Sequence, residues 1–298
     1  MKIILHYLAF PILLMSCPIT FLNGQFPNPD EYTFGVRAND PVKMDVIKSD
    51  DKVTFNAINK SYFPYDLTIK FSDLENLSPK IFERKILLRP GNNNLFVLNI
   101  ANKDQSIQYE YSFSYIMRLS DNPDLSFPYL VPIGSGKIVQ LQTYDENGNK
   151  TTLLNHFVMS PGDSVFAVRK GTVTALPDDD SRLDRIIKSL SLEVLHQDGT
   201  LAIYRGLDNA TNKLRLGQTI YPGQYIGIID KNGTLILNLL AMNGPLKLKA
   251  LEIYFTDQNR NLTSAALSNN MKVAYPEEII EKEMTDREIK QYEKGKLF

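Results

Sequence analysis

Leu195-His-Gln-Asp-Gly-Thr-Leu-Ala-Ile-Tyr204 sets two apolar runs on either side of Asp198-Gly199. An Asp-Gly step between such runs predicts a tight β-hairpin, because glycine readily takes the left-handed backbone that the turn needs. Outward from that hairpin the pattern repeats. Short runs at 138–141, 164–169, 172–175, 192–195, 201–204, 225–229 and 235–240 are punctuated by Gly171, Gly199, Gly217, Gly223 and Gly233. Runs of this length between turn residues predict strands.

Upstream the pattern becomes strict alternation. Val53-Thr-Phe-Asn-Ala-Ile58, Leu67-Thr-Ile-Lys-Phe71, Leu95-Phe-Val-Leu-Asn-Ile100 and Tyr109-Glu-Tyr-Ser-Phe-Ser-Tyr115 put apolar or aromatic side chains at every second position. A period of two predicts antiparallel strands with one face buried. Arg89-Pro-Gly-Asn-Asn-Asn94 reads as a loop between them. The fold class is therefore all-β. An immunoglobulin-like β-sandwich is expected over residues 25–120 and an antiparallel β domain over 127–256, with Ser120-Asp-Asn-Pro-Asp124 as the linker. Residues 257–298 form a strand and helical tail. There Thr285-Asp-Arg-Glu288 has the spacing of a capping box, and sparse apolar residues suggest a short solvated helix.

Composition narrows the function. The 298 residues carry a formal net charge of −1, so no basic excess exists to hold nucleic acid. Residues 1–24 read as a secretory signal: Lys2, an apolar run, then small and polar residues before Gln25. The single cysteine, Cys17, lies inside this segment. Leu14-Met-Ser-Cys17 also resembles a bacterial lipobox, although Pro18 is foreign to that motif, so a lipid anchor at Cys17 is the one route to a membrane. With either cut the mature chain has no disulfide, and the expected location is the periplasm or cell surface.

Four stretches together resemble the lysostaphin/LytM-type zinc endopeptidases, which cleave peptide cross-bridges of peptidoglycan. They are Tyr129-Leu-Val-Pro132 with Gly134, Met159-Ser-Pro-Gly-Asp-Ser-Val-Phe-Ala-Val-Arg-Lys-Gly-Thr-Val173, the Leu195–Tyr204 hairpin, and Leu216-Gly-Gln-Thr-Ile-Tyr-Pro-Gly-Gln-Tyr-Ile-Gly227. Asn59-Lys-Ser-Tyr-Phe-Pro-Tyr65 and Arg89-Pro-Gly91 resemble the sandwich that precedes the peptidase in some exported members.

The resemblance implies a zinc held by a histidine, an aspartate and one histidine of a histidine-x-histidine strand, with a further histidine assisting the water. A catalytic zinc needs three protein ligands and one open position. His156 stands where the aspartate would be, and no histidine stands upstream near Asn149. Gly206 stands where the assisting histidine would follow Tyr204. The histidine-x-histidine strand falls on Leu235-Ile-Leu-Asn-Leu239, and the loop before it has shrunk to Asp230-Lys-Asn-Gly233. The chain has only His6, His156 and His196, too few for the implied set.

The resemblance thus implies a degenerate, non-catalytic member that needs no cofactor and binds peptidoglycan or a partner hydrolase or regulates cell-wall remodelling. A remnant groove is expected at His156, Tyr204, Gly206, Asn232 and Asn238. Two rival readings stay open: a peptidase with an unorthodox metal site, and a structural or adhesion protein of the cell surface. His196 reads as a strand-end residue bonding locally, and Asp178-Asp-Asp180 as a solvated loop rather than a calcium site.

Overall fold

The computed structural model describes residues 41–138, 140–142, 155–177, 191–208, 213–244, 247–256, 262–264 and 272–298. The signal segment, Asn149 and Asp178-Asp-Asp180 lie outside them. No described helix is long and apolar enough to cross a membrane.

The first part is a sandwich built from β1 (Val42–Lys48), β2 (Lys52–Asn59), β3 (Tyr65–Glu75), β4 (Leu77–Ser78), β5 (Glu83–Leu88), β6 (Gly91–Ile100) and β7 (Gln108–Met117). One sheet runs β1-β2-β6-β4 and the other β5-β3-β7, with antiparallel pairing throughout. The alternating positions meet between the sheets. Phe55 is fully buried, stacked on Phe96, and met edge-on by Phe71, Tyr109 and Tyr111. Offset and edge-to-face ring packing of this kind adds roughly 0.5–1.5 kcal/mol per pair beyond area burial. Tyr109, Tyr111 and Tyr115 of β7 pack against this core, while Phe113 between them is exposed.

The structure corrects the loop expected at 89–94. Gly91–Asn94 is the start of β6, paired with Asn59–Asn56 of β2. Backbone pairing with β2 holds this stretch extended, and Asn93 also finds local partners: its Oδ1 accepts from the Arg89 N–H while its Nδ2 donates to the Arg89 and Gly91 carbonyls.

The second part contains β8 (Gln140–Gln142), β9 (Asn155–Val158), β10 (Ser164–Phe166), β11 (Gly171–Ala175), β12 (Ser191–His196), β13 (Leu201–Arg205), β14 (Thr219–Ile220), β15 (Tyr225–Ile228), β16 (Thr234–Met242) and β17 (Leu248–Leu251). Its main sheet runs β14-β11-β12-β13-β16-β9-β8. The hairpin that opened the sequence reading is β12–β13, with Gly199 at φ 80° and Asp198 Oδ1 accepting from the Thr200 N–H. Strand β16 is the spine. One edge pairs with β13; the other pairs first with β9 and then with β17.

Both faces of β16 are covered. Leu235, Leu237, Leu239 and Ala241 point into the core of the β domain. Leu240 and Met242 point the other way and join the sandwich's core, together with Leu201, Ile203 and Leu248. The expected linker is pinned at this junction: Ser120 N–H donates to the Gly199 carbonyl, and Met242 N–H donates to the Ser120 carbonyl. After β18 (Tyr254–Thr256) and β19 (Leu262–Ser264) come two short helices, α1 (Glu277–Ile280) and α2 (Asp286–Tyr292). The capping box at Thr285 and Glu288 is present. The tail is not simply solvated, since Ile280 is buried and Glu283 is ion-paired to a buried arginine.

Because one strand serves two cores, Leu240→Ala is expected to destabilise the whole chain. Leucine truncation in a core costs about 2–5 kcal/mol. Urea unfolding followed by tyrosine fluorescence and by far-ultraviolet dichroism should shift together in this variant, with one coincident transition.

Candidate functional site

Strand register defines the face on which the resemblance places a metal. His156 of β9 lies opposite Ile236 of β16, which lies opposite Arg205 of β13, which lies opposite Ser191 of β12. Directly paired residues share a face, and so do residues two apart on one strand. The next row on that face is therefore Asn238, Ile203 and Glu193, and the row beyond it is Leu240, Leu201 and Leu195. The face grades from polar at the His156 end to apolar where the sandwich covers it. The two alternate positions facing His156's side of the strand, where the histidine pair is implied, are thus Ile236 and Asn238.

The remaining predicted groove residues lie elsewhere. Tyr204 belongs to the opposite, core face. It is fully buried, its hydroxyl accepts from the Val168 N–H at 3.0 Å, and burial pushes its phenol well above the usual value. Asn232 sits in the exposed turn before β16, where its N–H and Nδ2 both donate to Asp230. Gly206 is a close-packing point with φ 92°, and a Cβ added there would stand 2.1 Å from the Thr234 carbonyl oxygen. A histidine at this position would need both a left-handed backbone and displacement of β16. His156 and Asn238 therefore share a face, while Tyr204, Gly206 and Asn232 do not join them in one groove.

Asn238 is fully buried, and neither its Nδ2 nor its Oδ1 has a hydrogen-bond partner. On the core face Asn155 is equally buried; its Nδ2 donates to the Leu237 carbonyl at 3.1 Å, while its Oδ1 has no partner. Asp163, a conceivable companion for His156, is already engaged: it accepts from the Ser160 N–H and from Lys137. Among the described residues no three of His, Cys, Asp and Glu come together. The implied zinc set is therefore represented by one imidazole, an aliphatic chain, an amide and a glycine without room for a side chain. That donor set does not fit zinc, which takes nitrogen, thiolate or carboxylate ligands.

His196 is buried at the strand end, where its Nδ1 bonds the Lys170 carbonyl at 2.8 Å. A carbonyl only accepts, so Nδ1 carries the proton. Burial and the neighbouring Arg169 charge hold this imidazole below its ordinary pKa. Sequence reading did not single out Ile236, Arg205 or Glu193 as neighbours of His156. Only the register of four strands brings them into adjacent rows.

No protein-family model matches this chain, and no curated protein matches it. Solved structures do. The deep-sea M23 metalloprotease pseudoalterin is 16% identical over 47% of this chain and 95% of its own, with a TM-score of 0.32. Lysostaphin is 17% identical over 39% of this chain and 44% of its own, with a TM-score of 0.27. Csd3 of Helicobacter pylori is 12% identical over 88% of this chain and 82% of its own, with a TM-score of 0.30. The chain's structural neighbours are M23-type peptidases and lysostaphin.

Two substitutions test this geometry. Gly206→Ala should lower stability by at least about 2 kcal/mol, from backbone strain plus the contact with Thr234. Asn238→Leu should be neutral or stabilising by about 1–3 kcal/mol, because it removes an unsatisfied buried amide. Both are read from urea unfolding midpoints; a clear loss of stability in Asn238→Leu would mean that the amide is satisfied in solution.

Proposed function

We propose that this chain is a non-catalytic LytM-like protein of the cell envelope that binds peptidoglycan or a partner hydrolase. The reading rests chiefly on one observation: the face that would carry the metal holds His156, Ile236 and Asn238, and Gly206 leaves no space for the assisting side chain. Catalysis by a zinc-bound water requires those ligands, so the scaffold has been kept without its chemistry. Export through the segment 1–24, with Cys17 as an alternative anchor point, would bring such a protein next to the wall it binds.

The sandwich supports the same reading in physical terms. It packs onto the apolar end of the sheet face, where Leu201, Ile203, Leu240, Met242 and Leu248 join its core. A shared core restrains the two parts, and a restrained surface loses little freedom when a ligand docks.

Co-sedimentation with purified peptidoglycan, combined with a muropeptide digest, tests the proposal. The mature chain is expected to pellet with the sacculus, or with a hydrolase bound to it, and to release no muropeptides. Turnover of wall peptides by the purified chain would refute the non-catalytic reading. Failure to pellet with sacculi, with and without wall hydrolases present, would refute the binding.

A further inference from the structure

Arg169 is the most completely buried cation among the described residues, with 3% of its side chain exposed. Its guanidinium lies 3.6 Å over the Phe127 ring. One nitrogen, Nη1, is held inside the β domain by Asp198 at 2.9 Å and by the Tyr129 hydroxyl at 2.9 Å. The other edge of the fork points at the tail. Nε donates to Glu283 Oε2 at 3.0 Å and Nη2 to Glu283 Oε1 at 2.6 Å, a bidentate pair. Beside it Lys170 Nζ donates to the Glu283 carbonyl at 2.9 Å and to Glu288 Oε2 at 2.8 Å, while the Tyr221 hydroxyl donates to Glu288 Oε1 at 2.8 Å.

The two halves of this contact differ in origin. Phe127, Tyr129 and Asp198 belong to the β domain and hold the guanidinium from within it, and Lys170 and Tyr221 of the same domain hold Glu288. Glu283 and Glu288 belong to a terminal segment with few apolar anchors: α1 buries only Ile280, α2 buries no residue, and Phe298 stacks on Tyr221. A planar fork fixed in advance and aimed outward is the geometry that recognises a carboxylate. A buried guanidinium edge left without an acceptor is costly, so the tail leaves readily only when another carboxylate takes its place.

We propose that the Arg169–Lys170 step is a binding site for an acidic peptide segment of a partner protein, occupied within the chain by the tail's own Glu283 and Glu288. The partner would present two carboxylates at the spacing of these glutamates, the first to the Arg169 fork and the second between Lys170 and Tyr221. Burial alone would raise the Glu288 carboxyl, but hydrogen bonds from Lys170, Thr285 and Tyr221 bring it down to about 2, so it is ionised in place. This site is distinct from the sheet face around His156, and it stands whether or not the chain binds peptidoglycan.

The test uses the full-length mature chain carrying Glu283→Ala and Glu288→Ala together, and a fluorescein-labelled synthetic peptide of residues 276–298. Anisotropy titration should give saturable binding to the double variant, about tenfold or more tighter than to the unsubstituted chain, whose own tail competes. The same peptide with glutamine at both positions should bind about tenfold more weakly. Equal affinity of the two chains, or equal affinity of the two peptides, would overturn the proposal. If circular dichroism finds the double variant unfolded, hydrogen exchange on the unsubstituted chain decides. Saturating unlabelled peptide should then speed exchange at residues 277–292, and unchanged exchange there would overturn it.

Discussion

Strand β16 is buried on both faces from Leu237 to Met242, and the rest of the molecule is arranged around that fact. Leu235, Leu237, Leu239 and Ala241 close the core of the β domain, while Leu240 and Met242 close the end of the sandwich. From Leu237 onward neither face of the strand can take a solvated metal without opening a core, while Ile236 beside His156 is half-buried. At roughly 25 cal/mol per Å² of apolar surface, several fully buried aliphatic side chains hold that strand in place. Position 238 shows the tension within this arrangement. An amide sits in the buried row between Ile203 and its neighbours with neither polar atom engaged, which burial penalises.

Much of the architecture was legible in the residues. Alternation at 53–58, 67–71, 95–100 and 109–115 located four sandwich strands, because a half-buried antiparallel strand imposes a period of two. Asp198-Gly199 located the central hairpin for an equally local reason. Strands β1 and β5 were missed. Both lie at a sheet edge and carry charged residues; β5 shows no alternation, while β1 alternates over Val42–Val46 and was simply not singled out. Strand β9 was missed because four residues make too short a run, and it exists through pairing with β16, some eighty positions away. The loop expected at 89–94 failed because asparagine's weak strand propensity was outweighed by backbone pairing with β2.

The candidate site was readable in part. The sequence located the positions where a metal is implied and showed that histidine is lacking there. It did not reveal that Tyr204 faces the opposite way from His156, since that follows from register, or that Gly206 is pressed against a carbonyl. The Arg169 cluster was invisible for a different reason. Arg169 closed a run read simply as a strand, Glu283 lay in a charge-rich tail, and 114 positions separate them. Nothing in local spacing signals a contact of that range. Only the capping box at Thr285 hinted that the tail had a defined shape.

The central claim is that the sheet face around His156, Ile236 and Asn238 has been given over to packing and holds no metal. Metal analysis of the purified mature chain, paired with thermal melts before and after a strong chelator, tests it most directly. Well under one equivalent of zinc, and the same melting temperature with and without chelator, is the predicted result. One tightly held ion per chain, whose removal lowers the melting temperature, would contradict it.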